Sequence, residues 1–135
     1  MAEKEGAEIK KGAEGLKWAI SLYEEFGFPA GLMPFTNVVE AGLVRSTGYW
    51  WVTIKKKMEH KFKKIGRLIV YDREMSGYIK KNRLWKLNGV KAKEPLFSAA
   101  ISEITVDDPP TGNIRFKSIW GITLAYPIDA FDPNQ

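Results

Sequence analysis

The chain has 135 residues, 44% hydrophobic and 27% charged, with no cysteine. That suits one domain with one core and excludes disulfides, thiolate metal sites and a cysteine nucleophile. The net charge of +5 is local: residues 55–67 hold seven basic residues against one acid, Glu59, so this segment carries +6 and the rest of the chain −1. Such a patch points to an anionic partner better than a high overall pI does.

Residues 1–12 read as a flexible N-terminus, charged and without the apolar run of a secretion signal. No window approaches the roughly 20 apolar residues of a membrane span. The expectation is a soluble cytoplasmic protein, peripheral at membranes at most. A helix follows over about 13–26, because Ile9, Ala13, Leu16, Ile20 and Tyr23 recur at helical spacing and Gly27 is a natural stop. Its polar face mixes Glu14, Glu24 and Glu25 with Lys10, Lys11 and Lys17, which suits packing on its own domain rather than on a membrane. In the next segment, 26–35, Pro29 and Pro34 bracket Gly31 and Leu32, a defined connector.

From Val38 onward the pattern is β. Two strands flank a turn at Ser46, Thr47 and Gly48. Residues 66–72 make a buried strand. Residues 76–87 make a hairpin turning near Lys81 and Asn82. Two more strands, 96–106 and 114–118, flank the proline-glycine turn 107–113, and 121–131 gives a last strand and a closing segment. Seven to nine short strands after one helix predict a mainly β, antiparallel roll or barrel-like sandwich, a single domain over 13–135 with the helix packed on it.

The run "YWWVTIKKKMEHKFKKIGR", 49–67, is the densest in chemistry. Taken as extended, 49–63 places Trp50, Val52, Ile54, Met58, His60 and Phe62 on one face. Tyr49, Trp51, Thr53, Lys55, Lys57, Glu59, Lys61 and Lys63 fall on the other. One strand of this length is unusual, and the alternation fails at 55–57, so a bend or bulge is expected there. Two readings stand side by side. Lysines on an edge strand keep it from pairing with other chains. Alternatively, Tyr49, Trp51, Lys55, Lys57, Lys61, Lys63 and Arg67 form a ligand-binding strip for anionic lipid or another amphiphile. Lysine suits phosphates without strict geometry, and the aromatic rings suit the water–lipid interface. Nucleic acid ranks below lipid, since no ribonucleoprotein signature accompanies the charge.

Catalysis is disfavoured. His60 is the only imidazole, and none of the serines sits in a G-x-S-x-G elbow. His60 reads instead as a partly buried residue with a hydrogen-bond partner. One histidine and no cysteine leave no metal spacing, and no cofactor is expected. Asp107 and Asp108, before two prolines, read as turn chemistry.

The segments "GFPAGLMP", "VRSTGYWWVTIKKKMEHKFKKIGRLIVYD", "GVKAKE", "ITVDDPPTGNIRFKS" and "YPIDAF" occur in that order. Together they resemble the plant domain-of-unknown-function family 538, its Smaller with Variable Branches-like members above all, over about 22–131. The resemblance implies an all-β roll with an N-terminal helix, likened to the lipid-binding fold of bactericidal permeability-increasing protein. It also implies a lipid or amphiphile ligand, and hydrolysis of esters has been proposed for such proteins. The expectation is therefore a protein that binds lipid or an amphiphile through the basic strip and an apolar cavity between sheet and helix. A protein-interaction module is the alternative, and a weak ester hydrolase the third reading.

Overall fold

A computed structural model describes residues 2–133. Met1, at the start of the expected flexible segment, and Asn134 and Gln135, at the end of the expected domain, lie outside the described residues. The elements are a helical turn, Ala2–Lys4, then β1 (Glu8–Lys11), α1 (Gly12–Glu25), β2 (Val38–Val44), β3 (Tyr49–Ile54), β4 (Met58–Phe62), β5 (Arg67–Lys80), β6 (Arg83–Lys93), β7 (Ser98–Val106), β8 (Asn113–Ser118), β9 (Thr123–Pro127) and a closing helical turn, Ile128–Phe131. The nine strands of the described residues join one open antiparallel sheet in the order β1-β2-β3-β5-β6-β7-β8-β9, with β4 beside β5.

The helix falls where its spacing places it. It ends in a Schellman cap: Gly27 takes a left-handed φ of 93°, its N–H donates to the Glu24 carbonyl, and the Phe28 N–H donates to the Tyr23 carbonyl at 2.9 Å. It starts at Gly12, one residue from the expected start, but the segment before it does not extend the helical face. Residues 8–11 pair with β2 as an edge strand, and Ile9 is half exposed instead of continuing the helical face. Gly12, at φ 59°, breaks the chain between strand and helix. A spacing of four residues cannot separate a helical turn from a short strand, and the open edge of β2 decided the matter by supplying backbone partners.

The expected bend is present. Thr53 pairs with Glu74 and Met58 with Tyr71, so residues 54–57 lie opposite only 72 and 73. β3 and β4 are thus one long strand along the same edge of β5, interrupted by a bulge that carries Lys55, Lys56 and Lys57. The two strands read separately at 66–72 and 76–80 are the continuous β5, irregular in its pairing with β6 between Tyr71 and Tyr78.

The sheet curls strongly. Phe131 lies 4.7 Å from the Phe62 ring on β4 and 5.2 Å from the Phe116 ring on β8. In a flat sheet the four strand spacings from β4 to β8 amount to roughly 19 Å. One phenyl ring touches both only because the sheet wraps around the C-terminal turn. The inner face, α1, the connector 28–35 and Phe131 share one apolar core. Tyr71, fully buried, donates its hydroxyl to the Leu32 carbonyl at 2.8 Å and so fastens the connector to β5.

Candidate functional site

Between α1 and strands β2 and β3 only a hollow of about 20 Å³ is left, while a cavity of about 280 Å³ lies between Ile20 of α1, the connector at Met33–Phe35, and His60 and Phe62 of β4. A more apolar cavity lies elsewhere, on the inner face of β5–β9, and measures about 320 Å³, the scale of a small-ligand site. Its origin is a row of cross-strand neighbours: Ile69 pairs with Ala92 and Ala92 with Ala99. Two methyl side chains side by side leave room where larger residues would close the core. Phe116 and Phe131 form another wall, and Leu124, Tyr126, Phe97 and Trp120 bring it to the surface. One charged pair sits on this apolar lining: Arg67 donates to Glu94 at 2.5 Å. The guanidinium also lies 6.0 Å from the centre of the Tyr126 ring. Burial raises the Tyr126 phenol above its ordinary value, against the pull of Arg67.

The register puts three turns at this end of the sheet: 63–66, 94–97 and 119–122. Phe97 and Trp120, from two of them, meet at 5.6 Å. Residues 19–132 match the family described as "Protein of unknown function, DUF538". The chain belongs to the DUF538 family. No curated protein and no solved structure matches it.

This DUF538 chain scatters the residues that the sequence assigns to one strip. Only Arg67 reaches the groove. Lys55, Lys57, Lys61 and Lys63 are all exposed and follow one another through the bulge, β4 and the turn after it. Tyr49 and Trp51 are not beside Lys61 and Lys63. Trp51 pairs with Ser76 and Lys61 with Leu68, eight positions apart on β5 and roughly 25 Å along it. Trp51 is also buried, at 5% exposure, rather than presented to solvent. Its cross-strand neighbour is Gly42, whose missing side chain lets the indole lie on the backbone. The Trp51 Nε1 donates to Glu40 at 2.7 Å, and the Lys4 ammonium lies 4.5 Å from the ring centre. Trp51, Tyr49, Tyr78 and Trp85 form an aromatic row across the outer face of β3, β5 and β6.

His60 is half-buried on β4 with its ring 4.6 Å from Phe62. Among the described residues no serine hydroxyl bonds it. Ser21, Ser76, Ser102 and Ser118 are engaged with Trp18, Asn88, the 117–118 carbonyls and the Trp120 N–H. The expected hydrogen-bond partner of His60 is likewise not found among the described residues. Asp107 does act in turn chemistry, accepting from Arg115 and from Thr111 across 107–115.

The groove residues themselves escaped the sequence reading, because β5 to β9 bring them together only through pairing. One local signal was present: "EPLF" and "SIWGI" put large apolar side chains into turns, which ordinarily carry polar ones.

Proposed function

We propose that this DUF538 protein is a cytoplasmic plant protein that binds an amphiphile rather than catalysing a reaction. The apolar part lies in the groove lined by Ala92, Ala99, Phe116 and Phe131, and an anionic head competes with Glu94 for Arg67. The observation that carries this reading is the Ala92–Ala99 neighbourhood, an opening of about 320 Å³ whose apolar walls enclose one arginine–carboxylate pair. The exposed lysines of the β3–β4 edge add long-range attraction for anionic ligands and surfaces. The absence of cysteine suits a reducing compartment. No helix among the described residues is long and apolar enough to cross a membrane.

Titration with a dansyl-labelled undecanoic acid tests the groove. Wild-type protein should raise the dansyl emission saturably. Ala99→Phe, which fills the space from the groove floor, should abolish the rise while the protein stays folded by circular dichroism. Undiminished binding by Ala99→Phe, or no binding by wild type, would sink the proposal. A protein-interaction role is the second reading, favoured by the apolar side chains exposed at the groove mouth.

A further inference from the structure

The two ends of the roll differ in chemistry. At one end the turns 45–48, 81–82 and 107–112 consist of small, polar, charged and proline residues. At the other, the turns 94–97 and 119–122 carry five of the eight exposed large apolar side chains among the described residues: Leu96, Phe97, Ile119, Trp120 and Ile122. Leu96 is 94% exposed and Trp120 59%. The third turn at that end, 63–66, carries Lys63 and Lys64, and the exposed Lys61 and Lys117 stand on the strands leading to it and to 119–122. Acids nearby are held: Glu94 by Arg67, Glu59 by Lys93 and Asp129 by Lys64. Lys61, Lys63 and Lys117 enter no ion pair among the described residues.

We infer that this end is a docking surface for an anionic lipid bilayer, with Leu96, Phe97, Ile119 and Trp120 entering the acyl boundary and Lys61, Lys63 and Lys117 at the headgroups. The features fit that partner specifically. The apolar groups stand on turns at a tip rather than on a flat patch, and a fluid bilayer admits a tip without a matching pocket. An indole favours the boundary between headgroup and chain. Cations that flank the tip match an anionic surface, and each adds attraction that salt screens. A neutral apolar partner would leave them without a role.

The inference rests on the groove reading for its consequence alone. Phe97, Trp120 and Ile122 line the groove and also stand in the docking turns, so docking would set the mouth against the lipid. The experiment separates the two ideas with Leu96 and Ile119, which are exposed and do not line the groove. Co-sedimentation uses vesicles of phosphatidylcholine alone and of phosphatidylcholine with phosphatidylserine. Wild type should bind the mixed vesicles, less as salt rises, and bind the neutral ones weakly. The variant Leu96→Ser/Ile119→Ser should lose roughly tenfold or more in vesicle affinity, since each side chain gives up its transfer into apolar surroundings. It should still bind the dansyl fatty acid like wild type. Ala99→Phe should behave in the opposite way, losing the fatty acid and keeping the vesicles. Failure of wild type to bind mixed vesicles overturns the docking surface, and so does equal vesicle binding by the double variant. A wild-type dimer in solution that the double variant loses would assign these tips to a second copy of the chain and overturn it equally.

Discussion

Phe131→Ala is the most informative single change, because one ring joins the closing turn, the curled sheet and a wall of the groove. The Phe131 side chain is 0% exposed and contacts the Phe62, Phe116 and Tyr126 rings. Truncating a buried Phe to Ala costs about 3–5 kcal/mol. The figure here belongs at the lower end, about 3 kcal/mol, because the space left behind opens into the groove instead of being a sealed void. For a chain of this length that corresponds to a fall in Tm of roughly 10 °C. Guanidinium unfolding followed by tryptophan fluorescence and far-ultraviolet circular dichroism measures it, with an unchanged m-value showing that the folded state keeps its compactness. Phe131→Leu, which retains most of the volume, should lose under about 1.5 kcal/mol. The alanine variant should also accept bulkier amphiphiles, since the groove is wider without the ring. A loss below about 1 kcal/mol would show that Phe131 does not hold the two sides of the roll together, and the account of the curl would fail with it.

Gly42→Ala should destabilise the fold by about 1–3 kcal/mol and shift the near-ultraviolet spectrum, because a Cβ there runs into the Trp51 indole; wild-type stability would refute that packing. Arg115, and then Thr111, hold the Asp107 carboxyl down at about 2, against an ordinary value of 3.8. A carboxyl with a lowered folded pKa stabilises fully above the unfolded value and loses that contribution as pH falls toward the folded one. Denaturation midpoints should therefore decline from about pH 4 to 2, less steeply in Asp107→Asn, and parallel curves would contradict the turn's role. Changing Lys55, Lys57, Lys61 and Lys63 together to Ser should alter stability by no more than about 0.5 kcal/mol each, since all are exposed. The same variant should bind phosphatidylserine vesicles less well at low salt; equal binding would leave these lysines as protection for an edge strand.

Much of the fold was legible because its signals are local. Alternating spacings of three and four residues announced α1, and Gly27 its end. Asn82 and Gly48 marked hairpins by the backbone angles they tolerate, both with φ above 60°. The broken alternation at 55–57 announced the bulge before β4. The strands of the basic run were therefore readable, and so was the separation of Lys61 from Phe62 on opposite faces.

The candidate site was not readable, because it is made of pairings between distant residues. Arg67 and Glu94 are 27 positions apart, and Ala92 opens a groove only because Ile69 and Ala99 are its neighbours in the sheet. Burial on the outer face is equally non-local. Trp51 alternates with Trp50 as the sequence requires, yet both are buried, since Gly42 on the neighbouring strand and Lys4 from the N-terminal segment close over Trp51. The chain by itself determined the helix and most of the strands and turns after residue 37, because backbone preference and alternation act over a few residues. Only the tertiary structure decided that the sheet would curl around Phe131 and leave an apolar groove beside its apolar turns, because curl and cavity depend on which side chains meet across strands.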